Sequence, residues 1–273
     1  MLREDYMSKT ILITGSTDGI GLDVAKTLAE RGHNILLHGR NPEKLSAIKN
    51  EHVALESSES YIADLSHLIS VQSLATEIAT KHNHLDILIN NAGVFKTAKP
   101  ITKDELDIRF VVNTIAPYYL AQRLLPLMDA TGRILNLSSA AQAPVRRSAF
   151  FGDTHLTDGE AYAQSKLALT MWSRHMAENI NNGPVIISVN PGSFLGTKMV
   201  KEAYGSDGKD IAIGSDTLTR LALDPQYAES NGKYFDNDSG QFGTPHPDAL
   251  NADNTSKIID WMEALLPSLL NER

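Results

Sequence analysis

The sequence predicts an α/β fold, a doubly wound (Rossmann-type), mainly parallel sheet with helices on both faces. Short apolar runs alternate along the chain with longer segments whose apolar residues recur at helical spacing, the pattern of repeated βα units. A glycine-rich turn at 15–21 separates the first strand from the first helix. The 273 residues suffice for one large domain, and no Pro/Ser/Gly-rich tract marks a linker. We therefore expect residues 1–273 to form a single domain.

Each element follows from local composition. The first strand is the apolar run at 10–14, and the helical apolar stripe after it stops at Gly32. Pro42 suits the first turn of the next helix, where its fixed φ is already helical. The predicted strands are 10–14, 34–38, 61–63, 86–89, 133–137 and 185–189, with a weaker edge strand at 233–235. The predicted helices are 22–29, 42–50, 67–82, 162–180, 214–223 and 255–270, with two more between the fourth and fifth strands.

Composition excludes several classes of protein. The net charge of −8 argues against a nucleic-acid surface, which is normally basic. With no cysteine, the chain has neither a disulfide nor a thiolate zinc site, which is compatible with a reducing cytoplasm. The histidines show no metal-ligand spacing, the start of the chain is too polar for a signal peptide, and no apolar run approaches ~20 residues. We expect a soluble, cytoplasmic protein with no metal, nucleic-acid or membrane partner.

The pair Tyr162 and Lys166 is the most informative feature. Their spacing of four places both side chains on one face of a helix. A phenol has an ordinary pKa near ~10, and a neighbouring ammonium favours the phenolate. An aromatic residue packed beside a snorkelling lysine is the alternative interpretation. Three further motifs favour chemistry: the turn at 14–21, Asn-Asn-Ala-Gly at 90–93, and the serine pair 138–139. All fall at strand carboxyl ends or in the following helix, where doubly wound sheets bind ligands.

The turn at 14–21 has the spacing Gly-x-x-x-Gly-x-Gly rather than Gly-x-Gly-x-x-Gly. Residues without Cβ let the backbone approach a pyrophosphate while the helix N-terminus faces it. Many turns collect glycines for local reasons. The position between a strand and an amphipathic helix favours a cofactor site.

On these motifs the chain resembles the short-chain dehydrogenase/reductase family in its single-domain branch, over essentially its whole length. The residues that carry the resemblance are Thr14, Gly15, Gly19, Ile20, Gly21, Asp64, Asn90, Asn91, Ala92, Gly93, Asn113, Ser139, Tyr162, Lys166, Pro191 and Gly192. Three features are similar to those of the retinol dehydrogenase and WW-domain oxidoreductase subgroup. They are the wide interval between Ser139 and Tyr162, the segment 232–235, and the segment Ile-Ile-Asp-Trp-Met near the end of the sequence. We expect a soluble, bacterial-type member.

The resemblance implies a nicotinamide cofactor. Asp64 and Leu65 would lie near the adenine, 91–93 along the adenosine, and 191–192 beside the nicotinamide. Thr197 stands one residue later than the family spacing, which leaves its contact open. The expected cofactor-binding residues are Gly15, Ser16, Asp18, Gly19, Ile20, Gly21, Arg40, Asp64, Leu65, Asn91, Ala92, Gly93, Tyr162, Lys166, Pro191, Gly192 and Thr197.

The end of the second strand predicts the choice of cofactor. It reads His38-Gly39-Arg40, without the carboxylate that NAD enzymes usually offer to the ribose 2′-hydroxyl. Arg40 can stack on adenine and bind a 2′-phosphate through its planar fork, and Ser16 could add a hydroxyl contact. A solvated surface arginine is the alternative. The sequence predicts NADP, with NADPH preferred over NADH.

The resemblance also assigns catalytic roles. Tyr162 would be the acid/base, Lys166 would lower its pKa and hold the ribose, and Ser139 would bind the substrate oxygen. Asn113 would hold a water that links Lys166 to solvent. Ser138 competes with Ser139 for this role. The alternative for Ser139 is a hydroxyl that binds only the strand-end backbone, and the alternative for Asn113 is a residue that kinks or caps its helix. The predicted activity is hydride transfer between NADP(H) and an alcohol or carbonyl. A catalytically silent NADP(H)-sensing protein is the alternative, and a purely structural α/β domain is a third hypothesis.

Two segments are expected to frame the substrate: a lid at 193–214 and an expanded active-site loop at 142–160. The apolar lid residues are Phe194, Leu195, Met199, Tyr204 and Ile211, and Phe150 and Phe151 would lie opposite. They predict a mainly apolar small molecule. Arg146, Arg147 and Lys198 could instead bind an anionic group.

A homodimer is expected only from resemblance. Family members commonly pair through the helix that carries the tyrosine and the helix before strand five. An apolar face for this pairing could come from Ala161, Ala168, Leu169 and Trp172, which a core-facing stripe explains equally well.

Overall fold

The computed structural model describes residues 8–271. Within them one sheet has the order β3-β2-β1-β4-β5-β6-β7-β8, parallel except where β8 runs antiparallel to β7. The strands are β1 Thr10–Ile13, β2 Asn34–Gly39, β3 Glu59–Ile62, β4 Ile87–Asn90, β5 Arg133–Leu137, β6 Val185–Asn190, β7 Tyr234–Asp236 and β8 Gln241–Gly243. The predicted fold class is confirmed. The final strand β8 was not predicted, because its three residues are largely exposed and carry no apolar run.

Helices cover both faces of the sheet. They are α1 Gly19–Glu30, α2 Pro42–Glu51, α3 Leu68–Lys81, α4 Ile108–Phe110, α5 Ala116–Leu124, α6 Arg147–Phe150, α7 Asp158–Asn179, α8 Lys198–Tyr204, α9 Ala212–Leu223 and α10 Ala252–Leu269. Along β1, Leu12 faces the core under α3, α5, α7 and α10, whereas Ile11 and Ile13 face the core under α1 and α9. Burial on both faces explains why the strands are almost continuously apolar.

The helix that carries Tyr162 begins four residues earlier than predicted. Thr157 accepts the backbone N–H of Glu160, and the Glu160 carboxylate accepts the backbone N–H of Thr157, which is a capping box. This reciprocal cap fixes the start of α7 at Asp158. Tyr162 and Lys166 therefore lie in its second and third turns rather than at a fraying end.

The expected dimer face is covered by the chain itself. The side chains of Ala161, Ala168, Leu169 and Trp172 are at most 2% exposed within one molecule. Helix α10 packs on α7, and its buried apolar residues share one core with Trp172. It also reaches α5, where Glu263 accepts a 2.6 Å hydrogen bond from the Tyr118 hydroxyl. These four side chains therefore face the core, as the alternative interpretation held, and they do not supply an apolar face for pairing.

Candidate active site

A cavity of about 720 Å³ lies at the carboxyl ends of the parallel strands. It opens where the strand order reverses, since β1 has β2 as its neighbour on one side in the sheet and β4 on the other. Doubly wound sheets leave their ligand crevice at this switch point. The cavity brings together residues from the ends of β1, β2, β4, β5 and β6, which are distant in sequence.

The glycine turn is shaped for close approach. Gly15 and Gly19 have φ of +65° and +53°, a region that other residues rarely adopt. A Cβ at Gly15 would lie 3.0 Å from the Ala92 Cα, and one at Gly21 would lie 2.3 Å from the Asn91 amide nitrogen. Gly15, Asp18, Gly19 and Ile20 line the cavity at the N-terminus of α1, where backbone N–H groups and the helix dipole favour an anion. This arrangement fits the pyrophosphate of a dinucleotide.

Gly21 and Asn91 act by holding this turn together. Gly21 lies behind the cavity wall, where its missing Cβ makes room for the Asn91 amide. That amide donates to the carbonyl oxygens of Thr14 and Gly15 at 2.9 and 3.1 Å. The Thr14 hydroxyl in turn accepts the backbone N–H groups of Asn91 and Ala92. The motif at 90–93 thus binds the first turn directly, besides lining the cavity.

The end of the cavity expected to take the adenine contains Arg40, Asp64 and Leu65, all of which line it. The Asp64 carboxylate accepts the backbone N–H and hydroxyl of Ser66, and these hydrogen bonds outweigh burial to lower its pKa. Lys44 also lines this end and pairs with Asp18 at 2.9 Å. The sequence analysis missed Lys44 because it lies inside a helix, four residues past Arg40.

Ser16 does not face the cavity. Its side chain is fully buried, and its hydroxyl accepts the backbone N–H of His38 at 2.9 Å and lies 3.3 Å from the His38 carbonyl. The Ser16 hydroxyl is therefore not placed to contact a cofactor, contrary to the expectation from the sequence. Thr17, the next residue, lines the cavity instead.

Lys166 lies deep in the cavity wall. Its side-chain nitrogen donates a 2.5 Å hydrogen bond to the Leu137 carbonyl and lies 5.6 Å from the centre of the Tyr162 ring. Burial lowers the pKa of Lys166 to about 8, because desolvation penalises the ammonium. Gly93 is a neighbour of this nitrogen, since a Cβ there would lie 3.6 Å from it, at an ordinary contact distance.

Tyr162 stands beside Lys166 and Ser139. Burial raises the pKa of the Tyr162 phenol, and the Ser139 hydroxyl opposes this shift by favouring the phenolate. The expected net lowering of this pKa is not what the structure shows, because desolvation is the largest influence on the phenol. The Phe95 ring packs edge-on against Tyr162 with centroids 4.9 Å apart. Phe95 was not predicted, although it lies only two residues past the motif at 90–93.

The two serines at the end of β5 differ in position. The Ser138 hydroxyl is buried and lies 2.6 Å from the Thr170 hydroxyl on α7. Ser139 is more exposed to the cavity, and its hydroxyl accepts the Ala141 backbone N–H at 3.1 Å. The geometry thus favours Ser139 over Ser138 as the hydroxyl available to a ligand.

Asn113 lies in a π-helical turn, Val111–Ile115, between α4 and α5. Its amide oxygen accepts the Val94 N–H at 2.7 Å, and its amide nitrogen donates to the Val94 carbonyl and the Ser165 hydroxyl. These contacts bind the loop after β4 to α7. The side chain is therefore engaged by the protein, Asn113 is fully buried, and its expected role in holding a water stays a prediction.

The residues expected beside the nicotinamide, Pro191 and Gly192, line the cavity, and so does Thr197. The Thr197 hydroxyl caps α8 by accepting the Val200 N–H at 3.3 Å. Its methyl group lies 3.5 Å from where a Cβ of Gly19 would stand. Thr197 thus meets the phosphate turn, although it stands one residue later than the family spacing.

The walls around Tyr162 are mainly apolar. From the lid, Phe194, Leu195, Met199 and Tyr204 line the cavity, whereas Ile211 packs against the core under α1 and α9. Phe194 is 53% exposed and has φ of +58°, a strained conformation for an aromatic residue. The opposite wall is formed by Val94, Phe95, Ile108 and Val112.

The segment 142–160 does not form the expected wall. Phe150 is fully buried against Phe110 and Trp261, and Phe151 packs on the same core. Of this segment only Gly159 lines the cavity. Its arginines also point elsewhere, since Arg146 pairs with Glu160 and Arg147 lies over the Phe151 ring. Lys198 does reach the rim, where it pairs with Glu202 at 3.6 Å.

The fold and site define a dinucleotide-binding oxidoreductase, and comparison with known proteins identifies its family. The family model for short chain dehydrogenases matches residues 9–207. Human retinol dehydrogenase 13 is 30% identical over 254 residues, spanning 84% of this chain and 76% of that protein. Short-chain dehydrogenase TIC 32 A of Brassica napus is 29% identical, spanning 97% and 91%. The chain therefore belongs to the short-chain dehydrogenase/reductase family and resembles its retinol dehydrogenase subgroup.

Solved structures agree with this assignment. A structure from Escherichia coli CFT073, assigned to the short chain dehydrogenases and complexed with NADPH, is 28% identical with a TM-score of 0.68. The similarity covers 84% of this chain and 96% of that one. Together with the glycine cradle it supports a nicotinamide cofactor. Across residues 8–271, no helix is both long and apolar enough to cross a membrane.

Proposed function

We propose that the protein is an NADP(H)-dependent oxidoreductase that interconverts an apolar alcohol and the matching aldehyde or ketone. The observation that carries this proposal is the meeting of Tyr162, Ser139 and Lys166 in one cavity with the glycine turn. These groups come from β5 and α7, whereas the turn joins β1 to α1. An unrelated packing role would not require a phenol, a hydroxyl and an ammonium at the same cavity wall.

The residues support acid/base chemistry on an oxygen atom. A bound nicotinamide would supply or accept the hydride. Because burial raises the pKa of Tyr162, the phenol is protonated near neutral pH and can donate to a carbonyl oxygen that gains charge during reduction. The Ser139 hydroxyl can hydrogen-bond the same oxygen. Lys166 can return a proton toward Tyr162, and Asn113 would hold the water that connects Lys166 to solvent.

The cofactor end supports NADP over NAD. Arg40 and Lys44 both line the adenine side, and Arg40 follows β2 where NAD enzymes place a carboxylate. A guanidinium can bind a 2′-phosphate through two parallel hydrogen bonds. The NADPH complex of the E. coli relative is consistent with this choice.

The substrate end supports an apolar molecule. Eight aromatic or aliphatic residues line it from two sides: Val94, Phe95, Ile108, Val112, Phe194, Leu195, Met199 and Tyr204. Arg146 and Arg147 lie outside the cavity, and apart from Lys166 the lysines in the lining near these residues, Lys96 and Lys198, are exposed. The name of human retinol dehydrogenase 13 likewise specifies an alcohol, retinol. The lining supports the same broad class here without specifying the compound.

Tyr162→Phe tests the assignment. We expect it to keep NADPH binding and to lose most turnover on any carbonyl that the wild type reduces, because the phenyl ring cannot donate a proton. Tyr118→Phe is the matched control, since it removes a hydroxyl that binds Glu263 outside the cavity lining. Full activity of Tyr162→Phe would overturn the proposal. Tight NADPH binding without turnover on a broad panel of alcohols and carbonyls would favour a cofactor-sensing protein.

A further inference from the structure

The imidazole of His38 bridges three strand ends in the wall of the candidate cofactor cavity, which His38 helps to line. Its Nδ1 atom accepts the backbone N–H of Gly15 at 3.1 Å, and its Nε2 atom lies 3.2 Å from the carbonyl oxygen of Ala63. A carbonyl can only accept, so Nε2 bears the hydrogen, and Nδ1 is left as the acceptor. The ring is 2% exposed and uses both nitrogen atoms.

These contacts lock one peptide unit of the glycine turn. The peptide between Thr14 and Gly15 has its carbonyl held by the Asn91 amide at 2.9 Å and its N–H held by His38 at 3.1 Å. Gly15 lines the cavity, and Asp64, which follows Ala63, lines its adenine side. The ring thus joins the phosphate end of the cavity to the adenine end.

The neutral form of the ring is required at this place. In an imidazolium, Nδ1 also bears a hydrogen and points it at the Gly15 N–H. Nδ1 can then no longer accept the hydrogen bond from Gly15. Two charged groups act on the ring: Asp64 favours its protonation and Arg40 opposes it, but desolvation outweighs both and lowers its pKa to about 4. His38 therefore stays a neutral acceptor throughout the physiological range.

We propose that His38 is a positioning residue for cofactor binding, which holds the Thr14–Gly15 peptide in the orientation that receives the pyrophosphate. This inference rests on the proposed nicotinamide cofactor. It assigns His38 no contact with substrate or with the reacting atoms. Its loss should therefore raise the KM for NADPH and leave kcat at saturating NADPH within about twofold.

The test compares His38→Leu with His38→Asn by calorimetric titration with NADP+. Leucine leaves the Gly15 N–H buried without an acceptor, and we expect about tenfold weaker binding, the order of effect of one unsatisfied buried donor. The asparagine Oδ1 can replace Nδ1 as acceptor, so His38→Asn should stay within about threefold of the wild type. A purely structural role would not separate these two variants in affinity when their stabilities are matched.

His33→Leu is the matched control. His33 also accepts a backbone N–H through its Nδ1, that of Lys9 at 3.3 Å, but at the opposite end of β2. It should lower stability without changing the NADP+ Kd. Equal affinity of His38→Leu and wild type, or equal weakening by His33→Leu, would overturn the inference while the proposed function stands. Failure of the wild type to bind NADP+ or NAD+ would overturn the proposed function and this inference with it.

A spectroscopic measurement needs no substitution. Imidazole ¹⁵N chemical shifts of the wild type at pH 7 should show His38 protonated at Nε2 alone. A ring protonated at Nδ1, or at both nitrogens, would contradict the assigned acceptor role even if a variant failed to fold.

Discussion

The guanidinium of Arg109, which is 1% exposed, pairs with the carboxylate of Asp158 in the first turn of α7. Arg109 also binds both carboxylate oxygens of Asp107 and lies 3.3 Å from the Phe95 carbonyl. It therefore ties the loop that carries Phe95 to the helix that carries Tyr162. The edge-on contact between these two rings depends on that link.

Arg109→Met should destabilise the protein strongly. It leaves the buried Asp107 carboxylate without its cation, and breaking a buried pair in this way costs about 3–5 kcal/mol. Arg174→Met removes a surface pair with Glu178 and should cost about 0–1 kcal/mol. Urea unfolding followed by circular dichroism measures both. If both variants lost a similar amount of unfolding free energy, the Arg109 network would contribute little to stability.

Arg40→Asp should reverse cofactor preference. A carboxylate there repels a 2′-phosphate and can accept a ribose hydroxyl, so NADPH binding should weaken by about 1–3 kcal/mol relative to NADH. Arg146→Asp, a charge reversal outside the cavity, should leave the ratio unchanged. Titration with both cofactors checks this. A wild type that prefers NADH tenfold would contradict the role given to Arg40.

Neutral carbonyl substrates should be reduced faster than carboxylated ones of the same size. Aromatic and aliphatic side chains line the cavity around Tyr162, and Lys198 near them is largely exposed and already paired with Glu202. Lys198→Ala should therefore change kcat/KM for either set by less than about threefold, the change that an exposed pair can supply. Lys201→Ala, on the same helix but outside the cavity lining, is the control. A carboxylated preference that disappears only in Lys198→Ala would contradict the apolar assignment.

Lys166→Met should stabilise the protein at pH 7 while abolishing activity. The pKa of Lys166 falls from an ordinary 10.5 to about 8 on folding, so below pH 8 the folded chain bears the full cost of a buried ammonium. Between pH 8 and 10.5 the unfolded chain holds a proton that the folded chain has released, and the free energy of unfolding of the wild type therefore rises with pH. At pH 7 we expect the free energy of unfolding of the variant to exceed that of the wild type by about 1–2 kcal/mol, after the lost hydrogen bond to Leu137 is deducted.

Urea unfolding at pH 7 and pH 10 measures this difference. The advantage of Lys166→Met should shrink at the higher pH, whereas the exposed Lys201→Met should show no such change. An advantage that grows with pH would mean that the ammonium is stabilised rather than strained by its surroundings.

The chain should be a monomer of 29.8 kDa at micromolar concentration. Helix α10 occupies the face of α5 and α7 through which family members commonly pair, and Glu263 satisfies the Tyr118 hydroxyl there. Light scattering measures the mass. A stable dimer of twice this mass would show that another surface mediates pairing.

The sequence alone predicted strands β1 to β7, and all the expected cofactor-binding residues except Ser16 and Gly21 line the cavity. Local patterns indicate both the strands and these residues. Apolar runs such as 10–14 and 185–189 have few alternatives to a buried strand, and glycines, a Tyr-x-x-x-Lys pair and a strand-end arginine carry chemistry by their type and spacing. These patterns also placed the cavity at the carboxyl ends of the strands, since parallel strands end at one edge.

Only the tertiary structure decided which side chains face the cavity and which face the core. Three residues expected at the cavity are of suitable type and position in the sequence but pack elsewhere. Ser16 contacts His38, Phe150 contacts Trp261, and Arg146 pairs with Glu160. The direction of the Tyr162 pKa likewise depends on desolvation by Phe95 and other residues remote in sequence. Burial is a property of the assembled chain, because it is set by neighbours that local periodicity does not encode.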